Sequence, residues 1–285
     1  MNKRDVQLIL KQLEVKPNKK FGQNFLIDKN VIKKIIRVSD VSQNDVILEI
    51  GPGLGALTEE LAKNGKKIYG IEIDRRLCLY LKDKFSNYNN IEIINGDILE
   101  IEIPTYNKVI SNIPYSITGP LLEKIFFKIK PPKGTLIIES TIANRIFLYE
   151  TYKNYSRISI SVNAFMKPIL KTDISKNSFY PMPNITLSLM KIEPKENINP
   201  FLLNMDCKTF FLKFIAGIMP YKNKNIANAI SLFLNTQKDN QYTKDEILMI
   251  LIKNNLENKK VFNFNIEEFI KISKIFYNLK KIYKK

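Results

Sequence analysis

From residue 46 onward the chain alternates two kinds of apolar pattern. Short, nearly continuous apolar runs at 46–50, 68–73, 91–94, 109–111 and 136–139 read as buried strands. Between them, apolar residues recur at helical spacing over 57–64, 75–85 and 121–127, and Gly65 supplies a stop for the first of these. Upstream, Asp28 stands before a helical stretch running through Arg37, where its carboxylate can cap, with Val31, Ile32, Ile35 and Ile36 on one face. This alternation predicts an α/β fold, a mostly parallel sheet with helices on both faces. Two later runs, 158–165 and 185–192, are expected to add a terminal strand pair. The composition shifts around Lys191-Ile192-Glu193-Pro194-Lys195. Beyond it, Thr243-Lys244-Asp245-Glu246 is a capping box ahead of an apolar run, and 266–277 is amphipathic before the basic tail 280–285. The expected organisation is one α/β domain over 1–195 and a small helical domain over 196–285.

Composition narrows the chemistry. The 285 residues carry 45 Lys+Arg against 28 Asp+Glu, a formal charge of +17, which favours a polyanionic partner through steering and counterion release. There is no His, which removes His general bases, His triads and His metal sites. Cys78 and Cys207 stand far apart without metal-type spacing, and Cys78 sits in an apolar helical pattern that suits a core residue. Two isolated thiols, the lack of a signal-like amino-terminal run and the lack of about 18 uninterrupted apolar residues lead us to expect a cytoplasmic protein without a membrane span.

The candidate chemistry sits at strand ends. The first strand runs into Glu49-Ile50-Gly51-Pro52-Gly53-Leu54-Gly55, a loop whose glycines let backbone approach a ligand, ahead of a helix amino terminus that favours a carboxylate. Glu72, at the end of the next strand, can accept from ribose hydroxyls, and its place about 20 residues on keeps a nicotinamide dinucleotide open as the ligand. Asp97, in Asn95-Gly96-Asp97-Ile98, can accept from an adenine amino group. Asn112-Ile113-Pro114-Tyr115 then follows the fourth strand. The series Gly51, Glu72, Asp97, Asn112 advances one strand at a time, so four carboxyl ends are expected to converge on one crevice. The tetrapeptide suits a flat exocyclic amine. Two acceptors, the Asn112 side-chain oxygen and the Ile113 carbonyl, can hold its hydrogens out of the ring plane while Pro114 presets the turn and Tyr115 stacks on the purine. Together with the loop, it suggests methyl transfer from S-adenosylmethionine to an adenine amino nitrogen, by positioning and electrostatics rather than a general base.

The ordered motifs resemble the KsgA-type small-subunit rRNA adenine N6-dimethyltransferases. They comprise Lys20-Phe21-Gly22-Gln23-Asn24-Phe25-Leu26, residues 49–58, Glu72-Ile73-Asp74, Gly96-Asp97, Asn112-Ile113-Pro114-Tyr115 and Phe179-Tyr180-Pro181-Met182-Pro183. The resemblance covers about residues 16–277. It implies a Rossmann-like class I methyltransferase domain followed by a small C-terminal α-helical domain that docks RNA. It also implies that Asn24 and Leu26 line the cofactor cleft, and that Gly51, Gly53, Gly55, Glu72, Asp97, Ile98 and Asn112 hold S-adenosylmethionine. Asn112, Ile113, Pro114, Tyr115 and Phe179 would face the target base. The implied substrate is a pair of adjacent adenines in a hairpin near the 3′ end of small-subunit rRNA, each dimethylated, within a pre-ribosomal particle and by a monomer. An arginine-rich stretch of the family appears here as Tyr221-Lys222-Asn223-Lys224-Asn225, which makes Lys222 and Lys224 the expected RNA contacts, without bidentate phosphate geometry. Leu187 stands where the family usually has Ser. Three alternatives share parts of this pattern: a large-subunit rRNA methylase of the macrolide-resistance type, a non-catalytic RNA-binding assembly factor, and a nicotinamide-dependent oxidoreductase.

Overall fold

The structure is a computed structural model that describes residues 1–17, 23–147, 155–236 and 242–282, with side chains to 279. The motif residues Lys20, Phe21 and Gly22 and the side chains of the basic tail lie outside these. The chain clusters into two compact units, Met1–Asn144 with Met166–Pro194, and Arg145–Phe165 with Lys195–Lys285.

The first unit begins with α1 (Lys3–Gln12), held by an Asn2–Asp5 capping box, and the two-residue strand β1 (Phe25–Leu26). Asp28 caps α2 (Lys29–Ser39) by accepting from the N–H groups of Asn30 and Val31. There follow β2 (Val46–Ile50), α3 (Ala56–Asn64), β3 (Lys67–Glu72), α4 (Arg75–Lys84), β4 (Ile91–Asn95), β5 (Lys108–Asn112), α5 (Thr118–Phe126), β6 (Lys133–Glu139) and α6 (Ser140–Phe147). After an excursion into the second unit the chain returns as β7 (Met166–Ile174), β8 (Phe179–Tyr180) and β9 (Leu187–Pro194).

The central sheet has the order β4-β3-β2-β5-β6-β9-β7. Its first five strands are parallel, and β9 and β7 join antiparallel. Ile32 and Ile35 of α2 and Leu57 and Leu61 of α3 pack on Ile47, Ile110, Ile137 and Leu189, while Cys78 and Leu81 of α4 and Phe85 just beyond it pack on Ile93. Cys78 is therefore a core residue, and Leu187 is fully buried among Ile137, Phe179 and Leu189 of the larger cluster, where an apolar side chain suffices. A separate antiparallel pair joins β1 to β8, with Phe25 opposite Tyr180 and Leu26 opposite Phe179.

One expectation is overturned. Residues 158–165 form no strand. They lie in α7 (Arg157–Phe165), which is buried from Ser159 to Phe165. A run buried on every side shows no amphipathic period, and its Ile and Val bias mimics a strand. The terminal strand pair is instead β7 with β9.

In the second unit, α7 is joined by α8 (Pro200–Leu203), α9 (Met205–Ile218), α10 (Ile226–Thr236), α11 (Lys244–Lys253) and α12 (Ile266–Ile282). The capping box expected at Thr243 and Glu246 is formed. Helix α9 packs against α7, α8, α10 and α12. Phe214 stacks on Phe276 and meets Phe233 edge-on, an arrangement aromatic rings favour. The sequence reading placed 145–165 with the α/β domain, whereas that segment clusters here with the helices.

Candidate functional site

Sheet order reverses between β2 and β5, and in such sheets ligands bind at that switch, outside the strands' carboxyl ends. A cleft opens there. Gly51 and Gly53 reach it from β2, Glu72 from β3, Asp97 and Ile98 from β4, and Asn112 and Pro114 from β5, with Asn24 and Phe25 closing one side. Four strand ends therefore meet as their order in the sequence predicts.

The glycine loop turns through left-handed backbone at Gly51, Gly53 and Gly55, with φ of 66°, 61° and 75°. A Cβ on Gly53 would lie 3.0 Å from the Phe25 ring, so glycine here answers both backbone and space. Glu72 is buried, and its two carboxylate oxygens accept from the N–H groups of Gly53 and Asp74, each at 3.0 Å. Burial pushes its pKa up, against those two bonds. Each oxygen keeps a second lone pair, so Glu72 both props the loop and can accept from a diol. Asp97 accepts from Leu99 N–H at 2.8 Å through Oδ1, leaving its other oxygen for a ligand.

Asn112 carries the most informative polar atom. Its amide nitrogen donates to the Asn24 carbonyl at 3.1 Å, which turns the Oδ1 atom the other way. That oxygen is buried and has no hydrogen-bond partner among the described residues. A buried acceptor left unpaired costs about 1–3 kcal/mol, so its place in a cleft wall calls for a donor from a ligand. Pro114 lies 3.7 Å from where a Gly51 Cβ would stand, so turn and loop are neighbours.

Not every expected residue lines the cleft. Leu26 and Phe179 are buried partners in the β1–β8 pair and belong to the hydrophobic core, and Ile113 is buried behind the turn. Gly55 packs under Phe85. Tyr115 is half-buried against the core cluster, and burial pushes its phenol well above the usual range, with Asn24 partly opposing. Lys222 and Lys224 lie in the second unit. Lys222 is half-buried and donates to the Tyr155 carbonyl at 3.3 Å, whereas Lys224 is exposed. Sequence reasoning missed Ser116 and Ile117, which line the cleft directly after Tyr115, and Ser111, whose hydroxyl bonds to Ile50. Adjacency to the tetrapeptide is the signal that could have found the first two.

The cleft and its acceptors can hold a nucleoside and present an amide oxygen to a second polar group. Known proteins point the same way. A family model described as ribosomal RNA adenine dimethylase matches residues 14–275. "Probable ribosomal RNA small subunit methyltransferase A" of Pyrococcus abyssi is 36% identical, over 91% of this chain and 92% of that protein. Among solved structures, a dimethyladenosine transferase from Plasmodium falciparum superposes with a TM-score of 0.73 at 25% identity, over 90% of this chain and 98% of that one. The 23S rRNA methyltransferase ErmE superposes with a TM-score of 0.61 at 22% identity, over 88% and 99%, a likeness of fold.

Proposed function

The chain belongs to the ribosomal RNA adenine dimethylase family, and from that premise we propose that its cleft places S-adenosylmethionine against adenines of small-subunit rRNA for N6 methylation. It is an S-adenosylmethionine-dependent rRNA adenine dimethyltransferase. Its substrate is a pair of adjacent adenines in a hairpin near the 3′ end of small-subunit rRNA, each receiving two methyl groups during ribosome biogenesis. When bound, the cofactor supplies an electrophilic methyl group on a sulfonium.

The residues do the rest. Glu72 accepts from the ribose and Asp97 from the adenine of the cofactor. The unpaired Oδ1 of Asn112 accepts one hydrogen of the target amine and the Ile113 carbonyl the other, which frees the nitrogen lone pair from the ring. Once methylated, the nitrogen is acidic and loses its proton without a His. Tyr115, half-buried against the core cluster that contains Phe179, stacks on the base. The observation that carries this proposal is the buried, unpaired amide oxygen beside a turn that packs on the glycine loop. We further propose a monomer working in the cytoplasm on a pre-ribosomal particle, a partner that the +17 charge suits.

Incubating the protein with each ribosomal subunit and labelled donor, followed by mass spectrometry of the rRNA, tests this. Dimethyladenosine is expected at two adjacent positions of small-subunit rRNA, and label confined to the large subunit would overturn the assignment. Asn112→Ala is expected to slow transfer by about 100- to 1,000-fold, as loss of one preorganised polar group does, with RNA affinity unchanged.

A further inference from the structure

The hydrogen bonds between β2 and β5 reveal a residue that the motifs do not contain. The register pairs Ile47 with Lys108 and Leu48 with Val109, and the paired register ends there, short of the cleft. At Ile50 one side chain closes the gap. The Ser111 hydroxyl donates to the Ile50 carbonyl at 2.6 Å and accepts from the Ile50 N–H at 3.3 Å. Serine can do both because a hydroxyl is donor and acceptor at once. Ser111 is 2% exposed, and on its other side β5 is held by β6, with Ser111 opposite Leu136.

Ile50 is the residue before Gly51, and Ser111 is the residue before Asn112. One buried hydroxyl thus joins the strand that carries the cofactor loop to the strand that carries the base-gripping turn. Resting on the function proposed above, we propose that Ser111 is a positioning residue that sets the spacing between methyl donor and target amine. It touches neither ligand. Reactions of this kind need the reacting atoms within a near-attack distance, and a misplacement of about 1 Å costs about 100-fold. Alanine at 111 leaves both polar groups of Ile50 unmet in a buried place, which they can remedy by letting the strands spread. Threonine keeps the hydroxyl.

The test measures single-turnover methyl transfer alongside calorimetric affinity for S-adenosylmethionine and for small-subunit rRNA. Ser111→Ala is expected to slow transfer about 10- to 100-fold, with both affinities within about threefold, and Ser111→Thr to restore most of the rate. A transfer rate equal to wild type in Ser111→Ala overturns the proposal. So does a fall in cofactor affinity large enough to account for the slowing, or a Ser111→Thr protein as slow as Ser111→Ala. Should the alanine protein fail to fold, Ser111→Cys, close in volume but a weak hydrogen-bond partner, carries the same expectations. Failure of the function itself would look different, because the wild-type protein would then leave small-subunit rRNA unlabelled.

Discussion

Glu49 shows how a single side chain behaves when a motif buries it. It sits two residues before Gly51, 3% exposed, and burial pushes its carboxyl up to about 8. The neighbouring Thr58 hydroxyl and the Lys84 ammonium pull it back, while Glu72 pushes it further. The folded state thus holds a proton that the unfolded chain releases near 4.5. Linkage then makes stability fall as pH rises between those two values, by about 1.4 kcal/mol per pH unit from this group alone. Glu49→Gln is expected to flatten the decline of the melting temperature between pH 5 and 8. Parallel curves for the two proteins would show that Glu49 ionises normally. Glutamate in a glycine-loop motif was visible in the sequence; its burial was not, because that depends on α3 and β3 closing over it. The same applies to Phe179, an aromatic in the right motif that tertiary packing turns into a β1–β8 core residue.

Among elements, the β2–β5 pair decides most, since the site opens between these two strands. Ser111 ties their carboxyl end, and a polar knot ties the other. Asp45 is buried. It pairs with Lys108 at 2.9 Å, accepts from Asn107 Nδ2 at 2.7 Å and from Ser42 N–H at 2.7 Å, and Lys108 also donates to the carbonyls of Ser39 and Asp40. Burial alone would raise the Asp45 pKa, but the Lys108 bond and the Ser42 and Asn107 donors outweigh it and bring it down to about 2. A depressed carboxyl contributes stability above its unfolded value of about 3.9 that is lost as pH falls through the folded one. Lys108→Met leaves the carboxylate buried without its partner, which is expected to cost about 3–5 kcal/mol in urea denaturation at pH 7. It is also expected to move the acid-unfolding midpoint upward, and an unchanged midpoint would exclude the ion pair as an acid-sensitive clamp. Lysine in a strand gave no hint of this role, because its partner stands just ahead of a neighbouring strand, distant in the sequence. Strands and helices themselves were largely legible, and α7 was not, since a segment buried all round displays no face.

At the scale of the whole molecule, charge governs how the protein meets RNA. A formal +17 implies an affinity that falls steeply with salt. The structure separates the two lysines that the sequence treats alike. Lys224 is exposed, while the Lys222 ammonium already donates to the Tyr155 carbonyl. If both contact phosphate as proposed, Lys224→Gln should flatten the salt slope by about 0.7 to 0.9, the value of one phosphate contact, and Lys222→Gln by less. Binding titrations across salt concentrations check this, and equal slopes for Lys224→Gln and wild type would move the RNA contact elsewhere.

The order of chemical groups was settled by the amino-acid sequence alone. Strand periodicity places Gly51, Glu72, Asp97 and Asn112 at successive strand ends, and parallel topology obliges those ends to share one edge of the sheet. Which of those groups are paired, buried or left with an open valence was decided only in three dimensions. Hydrogen bonding and desolvation depend on neighbours distant in the chain, as Asn24 is from Asn112, Ser111 from Ile50 and Asp45 from Lys108. A local pattern records what a residue can do, and packing records which of those capacities is already spent.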